Sequence, residues 1–493
     1  MENKILSFDD LVNKTKELKK QGKTIVQSHG VYDIIHPGIV QHLRLAKEQG
    51  DVLIVTVIKD KDVRLGPGRP LFNETLRIEN VGALQPVDYV SLVDEGVPFE
   101  SVRLLEPDVL AKGKAVRERD RAVHGKMFEE EKEYNFGKTR ILETDGFTFH
   151  TQQLINNFLA VFPEETKEYI KQFANKHSFK FVSEQLNKLK DLKVLLIGDG
   201  IIDEYHYCDA MGRASKAHLV VNRYLHHEIF AGGAFAIANH LSGVCDRIHL
   251  VALLGKNDSR EDFVAKNLRS NIKTKYFYRE DIPTIIKKRY LNHYSNQKLF
   301  EVNYLDDQYI TREDEQEIIK YLKKEIPKYD VILISDFGHG FITDRIIKLI
   351  ARRAGKFAVN TQTNAANAGY NLITKYKNPY YICLDEGELR LAAQEKHKSI
   401  EEVAAKIKRR VKAKNLIVTL GKKGSLGIGS NGAVNQTPIF STKVIDTIGA
   451  GDAFFAYTAP CFAVGMPLDL ASFIGNVVGT LAVQIVGNKK PVE

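Results

Sequence analysis

The sequence predicts an α/β protein built as two blocks, each around a largely parallel sheet. Three observations carry this. Apolar strand-like runs alternate with helical stretches from residue 24 onward. A polar, charged interval at 161–190 separates one such alternation from the next. At 493 residues the chain is too long for a single core, so two to three domains are expected.

The first block opens with the apolar strand Thr24-Ile25-Val26-Gln27. Residues 38–48 read as a helix and 51–58 as a buried strand. Residues 73–84 read as helix again, and Tyr89-Val90-Ser91-Leu92-Val93 as strand. A βαβαβ order implies parallel strands, with ligands gathered at their C-terminal ends. Residues 161–190 form a helical connector rich in Glu and Lys. The second block begins with Lys193-Val194-Leu195-Leu196-Ile197, carries a strand-rich insertion around 218–230 and 284–304, and has later strands near 331–335, 380–384 and 415–419.

Composition narrows the function. Hydrophobic residues make up 43% and charged residues 27%, ordinary values for a soluble globular protein. The four cysteines, Cys208, Cys245, Cys383 and Cys461, are far apart and form no CxxC pair, so neither a zinc site nor a disulfide framework is indicated. The start Met1-Glu2-Asn3-Lys4 is not a signal peptide, and no apolar run is long enough to span a membrane, so a reducing cytoplasm is the expected setting. The net charge of +9 raises the question of nucleic acid. In the densest basic run, Lys406 to Lys414, apolar Val403, Ile407 and Val411 fall four residues apart. That is the solvated face of an amphipathic helix, without the aromatic residues that stacking on bases requires. Phosphorylated small molecules account for the positive balance more simply.

The most informative segment is Asp446-Thr447-Ile448-Gly449-Ala450-Gly451-Asp452, followed by the apolar run Ala453-Phe454-Phe455-Ala456. Gly449 and Gly451 flank Ala450 and let backbone N–H groups crowd together. A helix starting there points those groups, and its positive end, at an anion such as phosphate. Asp452 would repel phosphate but suits taking the proton from an attacking hydroxyl. The segment therefore reads as an anion hole with a general base. No GxxxxGK[ST] phosphate loop is present.

These seven residues resemble the signature of the ribokinase-like (PfkB-type) carbohydrate kinases, and further motifs follow in that family's order over residues 191–493. The resemblance implies sugar-holding roles for Asp199 and Asp203 in Gly198-Asp199-Gly200-Ile201-Ile202-Asp203. It implies the same for Gly232, Gly233 and Asn239 in the di-glycine segment. Ser335-Asp336-Phe337-Gly338 resembles the acidic strand end near the phosphates and metal. Asp385-Glu386-Gly387-Glu388 resembles the Asn-x-x-Glu segment that acts through Mg²⁺, with Asp385 in the Asn position. Thr419, Gly421 and Gly424 match the ATP-side Thr-x-Gly-x-x-Gly, and Asp446 and Thr447 complete the ATP side. Mg²⁺ and ATP are the implied cofactors. A dimer formed through the lid is the implied assembly. Asn360-Thr361-Gln362-Thr363-Asn364 and Gly212-Arg213-Ala214-Ser215-Lys216 look most like the branch that acts on heptose phosphates.

In the first block, Gly30-Val31-Tyr32-Asp33-Ile34-Ile35-His36-Pro37-Gly38-Ile39 resembles the opening of the cytidylyltransferase-like nucleotidyltransferases, whose signature is His-x-Gly-His at a helix start. Gly66 to Glu74, Arg77 and Pro107 to Gly113 resemble the sugar-phosphate branch. The resemblance covers residues 1–160 as a domain and assigns nucleotide contacts to His36, Gly38, Lys112 and Thr151. Two departures stand out. Ile39 replaces the second histidine and cannot donate to phosphate, although His42 lies one turn on. The stretch Phe149-His150-Thr151-Gln152 keeps one hydroxyl where the family has a Ser/Thr-rich turn. Losing one preorganised donor typically costs about 10²–10³ in rate. The fold class is thus a Rossmann-like nucleotidyltransferase domain followed by a ribokinase-like α/β domain with a small β lid. Two functions follow: a bifunctional heptose-phosphate kinase and nucleotidyltransferase, or a kinase whose first domain is a catalytically weak nucleotide-binding or docking module.

Overall fold

In this computed structural model, residues 4–63, 69–113, 139–144, 163–216, 218–280, 282–365, 367–441 and 444–492 are described. The chain divides into two compact units, Met1–Phe162 and Pro163–Glu493.

In the first unit, β1 (Ile25–Gly30), β2 (Val52–Ile58), β3 (Tyr89–Val93), β4 (Val109–Gly113) and β5 (Arg140–Thr144) form a parallel sheet in the order β3-β2-β1-β4-β5. The order reverses between β1 and β4, the switch point beside which open α/β sheets bind ligands at the strands' C-terminal ends. β2 is buried along its whole length, as a central parallel strand covered on both faces must be. The helix Pro37–Lys47 follows β1, with Pro37 at its first turn, where a missing N–H costs nothing. The chain before it is braced from behind. Arg77, fully buried, donates to the carbonyls of Val31, Ile58 and Phe72 and to Asp60. Asp33 accepts from Arg69 and from the amides of Leu71 and Phe72.

The second unit has a main sheet and a lid that share one strand. β6 (Lys193–Arg213) is twenty-one residues long. Its first third lies between β8 (Arg247–Gly255) and β12 (Val331–Asp336), parallel to both. Beyond Asp199 it leaves that sheet and pairs with β7 (Val220–Gly233) antiparallel and β10 (Ile285–Asn292) parallel. β11 (Lys298–Tyr304) closes the lid's other edge. β9 (Ile272–Arg279) flanks β8. On the far side of β12, the main sheet continues through β13 (Phe357–Thr361), β14 (Tyr381–Asp385), β15 (Asn415–Thr419), β16 (Ser425–Ile428) and β17 (Val434–Thr437). Helices cover both faces of this sheet over two large apolar clusters. The basic helix is where the spacing places it. Val403, Ile407 and Val411 are fully buried in Ile400–Val411, which starts with a reciprocal Ser399–Glu402 capping box.

The charged interval before the second block forms helices Glu164–Lys176 and Phe179–Asn187, and both pack on the second unit. Phe173 stacks on Phe473 with ring centroids 4.0 Å apart, His177 Nε2 lies 2.8 Å from Asp469 Oδ2, and Thr166 Oγ1 donates to the Ile439 carbonyl. These residues are part of the second unit's surface layer rather than a free-standing tether. Among the described residues, no helix is long and apolar enough to cross a membrane.

Candidate active site

One polar cavity of about 410 Å³ lies where the ends of β13, β14 and β15 meet the lid and the start of the helix Ala450–Ala463. Gly449 is the helix N-cap with φ +82°, a left-handed conformation that favours glycine, and a Cβ there would meet Asn488 Oδ1 at 2.2 Å. At Gly451 a Cβ would meet nothing within 4 Å, so this turn of backbone is open on the cavity side. Of the first amides of the helix, that of Ala450 donates to the Thr447 carbonyl at 3.4 Å, and those of Gly451 and Asp452, which have no intrahelical acceptor, are available to an anion.

Asp452 follows in the first turn, buried at the cavity wall. Burial pushes its carboxyl up to about 7, against a hydrogen bond donated by Gln362, with the charge of Asp203 raising it further and Lys287 lowering it. A carboxyl that titrates near neutrality, beside an anion site, is placed to act as a base for a hydroxyl.

Asp203 lies across the cavity on the lid part of β6. Arg289 on β10 donates to its Oδ1, and Asn488 Nδ2 donates to Oδ2 at 3.3 Å. Gly232 faces it on β7, and a Cβ there would fall 2.1 Å from Asp203 Oδ2, so the di-glycine step makes room for this carboxylate. Gly233 caps the next helix with φ +54°.

Several residues expected at the site have other duties. Asp199 does not line the cavity. It lies buried behind β12, its Oδ2 accepting from the Phe337 amide, with its carboxyl pushed up to about 7 by burial and then by the charge of Asp336. Asp336 is fully engaged as well: Lys375 Nζ and the Tyr376 hydroxyl each lie 2.6 Å from Oδ2, and the Gly338 amide donates to Oδ1. Asn239 faces away, donating to the Asn267 carbonyl and accepting from the Arg269 amide. Gly421 and Gly424, with φ +57° and +84°, shape the turn between β15 and β16, and Thr419 and Thr447 line the cavity wall.

Asp446 acts as a clasp. Its carboxylate accepts from Tyr205 on β6, from Lys298 Nζ on β11 at 2.6 Å, and from the amides of Ile448 and Gly487. Burial alone would raise its pKa, but these donors, Lys298 first, hold it below the usual carboxylate range. Two lid strands are thereby tied to the turn that presents Gly449–Asp452.

The candidate metal residues divide. Asp385 and Glu388 line the cavity and cap each other across the start of helix Glu386–Ala393. Burial and then Asp385 push the Glu388 carboxyl up to about 8, and its Oε1 also accepts from the Thr363 amide. Among the described residues, no group of three or more acidic, His or Cys side chains forms a metal cage. Mg²⁺ commonly keeps water and leans on one or two carboxylates plus substrate phosphates. Asp385 and Glu388 bring carboxyl oxygens to the cavity, those of Glu388 also accepting from the amides of Thr363 and Asp385, whereas Asp336, paired with Lys375 and Tyr376, does not line it.

The cavity residues Lys287, Arg289, Glu301 and Asn488 carry no motif in the sequence, whereas Gln362 lies in the Asn360–Asn364 segment. The only hint of the first two is that alternate residues of a strand share a face, so Lys287 and Arg289 must point the same way.

In the first unit, His36 caps the helix after β1, and Gly38 lies in its first turn. Lys112 sits near the end of the adjacent β4. Ile39 packs against the apolar cluster of Val26, Leu43 and Val55. His42 does not replace the missing histidine: its Nε2 lies 2.8 Å from Ser28 Oγ, its Nδ1 contacts Thr144 Oγ1, and burial lowers its pKa to about 4. Thr151 and residues 66–68 lie outside the described residues.

A parallel sheet with a topological switch point in one unit and a lidded cavity with a glycine helix start in the other define a Rossmann-like domain followed by a ribokinase-like one. Residues 191–493 match the family described as pfkB family carbohydrate kinase, and residues 28–136 match the one described as cytidylyltransferase-like. The first match spans more than half of the sequence, and the chain belongs to the pfkB family of carbohydrate kinases. Among curated relatives, the Bifunctional protein HldE of Trichlorobacter lovleyi is 24% identical over 312 residues, 62% of each chain. That of Wolinella succinogenes is 41% identical over 114 residues, 23% of this chain and 24% of the relative. The chain thus spans at most about three fifths of the length of the relatives it matches. Phosphofructokinase-2 from Escherichia coli, solved with substrates and products, shares the fold at 15% identity and a TM-score of 0.50, over 61% of this chain and 95% of that one.

Proposed function

We propose that the second unit transfers a phosphoryl group from ATP to a hydroxyl of a sugar or sugar phosphate of the heptose-phosphate type. The observation that carries this is Asp452, a buried carboxyl near pH 7, set one residue after an open Gly449–Gly451 helix start in the cavity that also contains Asp203. Asp203 and Asn488 hold sugar hydroxyls. Asp452 accepts the proton of the attacking hydroxyl as its oxygen bonds to the γ-phosphorus and the bond to ADP breaks. The helix-start amides stabilise charge on the transferring oxygens. Mg²⁺, held through Asp385 and Glu388 with its waters, would neutralise charge on the nucleotide's phosphates. Asp452→Asn is expected to lower ADP production by about 10²–10⁴ while ATP still binds. A variant that keeps about a third or more of wild-type turnover overturns the assignment of the base.

The first unit is proposed as a nucleotidyltransferase-fold domain for making a nucleotide-activated sugar. The apolar, partly buried Ile39 at the helix start, packed against the core, favours a second form of this reading: the domain binds nucleotide or docks, and its own transfer is slow. The HldE relatives are named bifunctional, which supports reading two activities in this chain. The outer lid face exposes Val220, Tyr224, Phe300, Val302 and Tyr304, and a second copy of the chain is the proposed cover for it. Four free, buried thiols fit a cytoplasmic setting. No nucleic-acid or membrane partner is proposed.

A further inference from the structure

We propose that Lys287 binds a phosphate oxyanion in the acceptor cavity, so that the lid carries a phosphate-binding cation as well as a cover. This rests on the kinase reading of the second unit and deepens it.

The argument starts from register. β10 runs parallel to β6 with Lys287 beside Asp203 and Arg289 beside Tyr205, and β11 places Glu301 beside Arg289. The lid's inner face thus carries two cations and two carboxylates. Arg289 is consumed by both acids: one nitrogen donates to Asp203 and another lies 2.7 Å from Glu301 Oε2. Lys287 is left over. It is 7% exposed and lines the cavity with Asp203 and Asp452, yet its Nζ makes no hydrogen bond or ion pair among the described residues. Its contact is the face of Phe337, 5.4 Å from the ring centroid.

A buried ammonium without a partner is costly, and such groups are normally paired. Burial lowers its pKa, while Asp203 pulls the other way. The neighbouring His339 adds no second charge, because burial and then Lys287 hold its imidazole at about 4. A lone buried cation that faces a cavity next to a sugar-hydroxyl acceptor and a base matches an incoming phosphate. Two sources share that chemistry: a phosphate already on the sugar, or the phosphoryl group in transit from ATP.

Full-length Lys287→Met and Lys287→Arg would be assayed for ADP release with Mg²⁺–ATP, using a sugar and its phosphate ester as paired acceptors. Lys287→Met is expected to lose about 10²–10³ in kcat/KM, the usual range for one preorganised donor, and Lys287→Arg to recover at least about tenfold of it. A loss confined to the KM of the phosphate ester assigns the sugar's own phosphate. An equal fall in kcat with both acceptors assigns the phosphoryl in transit. Ligand-free Lys287→Met should melt at or above the wild-type temperature, since an unpaired buried charge has been removed. Wild-type-like turnover of Lys287→Met with both acceptors overturns the inference alone. So does a loss that Arg does not relieve and that comes with a lower melting temperature. A wild-type protein that releases no ADP with any acceptor overturns the kinase reading and this inference with it.

Discussion

The two units each place a helix start at the ends of parallel strands, and they differ in what remains there. In the second unit the helix start is open at Gly451, carries Asp452 near pH 7, and is tied to the lid through Asp446. In the first, His36 is present at the cap, but Ile39 is a partly buried apolar side chain packed against the core, and His42 is held by Ser28 and Thr144. The supports of the first unit are nonetheless intact: buried Arg77 and Asp33 still brace the loop before the helix. A scaffold survives on its packing and buried polar network, whereas reactivity depends on a few side chains that the scaffold does not need.

The largest way to break this contrast is to damage the second helix start. Gly449→Ala forces an L-residue to φ +82° and pushes Asn488 away from Asp203. Misplacement on this scale is expected to cost about 10² in ADP production, measured at saturating ATP and sugar. Near-normal turnover would show that the turn has no part in positioning.

Next come the two aspartates that the sequence treats alike. Asp203→Ala should raise the sugar KM by about 10–100-fold, with the ATP KM little changed, because a charged hydrogen-bond partner of the sugar is lost. Asp199→Ala should leave the sugar KM alone and instead change thermal stability, since Asp199 holds the Phe337 amide behind β12. Equal KM effects from the two variants would erase the distinction.

Smaller again is the response to pH. With the Asp452 carboxyl at about 7, its basic form is present above that pH and lost as pH falls through it. ADP production should therefore fall about tenfold per unit below pH 7 and level off above it, and Asp452→Asn should abolish the inflection. A profile that is flat between pH 5.5 and 8, about the range where such a group titrates, would remove Asp452 as the base.

The smallest effect is expected in the first unit. Ile39→His restores a donor at the helix start but leaves the stretch around Thr151 unchanged, so nucleotide affinity should rise only about two- to tenfold, measured by calorimetry. A gain of pyrophosphate release to ordinary enzyme rates from this one change would mean that the unit lacked only an imidazole.

Much of the fold was legible because central parallel strands are uninterrupted apolar runs. The run read as strand over residues 51–58 forms the central Val52–Ile58, and the buried stripe of Val403, Ile407 and Val411 follows from helical period. The edge strand Arg140–Thr144, with only Thr144 fully buried, gave no comparable signal. Within the site, Gly449–Asp452 was readable because the proposed anion hole and base are contiguous in sequence. The partners of Asp446 were not: Tyr205 lies 241 residues away, and only the lid's register brings it near. Lys287 and Arg289 read as an ordinary basic strand until β6 and β11 show that one is paired and the other is not. Asp199 and Asp203 look equivalent in sequence because the bend of β6 out of the main sheet, which separates them, leaves no local signature.

The contrast between the units is tested most directly by following ADP and pyrophosphate separately from one sample of the full chain, given ATP, Mg²⁺ and a panel of sugar phosphates. The account predicts ADP release with at least one acceptor and pyrophosphate release slower by about 10² or more, in line with the loss of one or two preorganised donors. Pyrophosphate released at about 1 s⁻¹ or faster, within the range of ordinary enzymes, would contradict it.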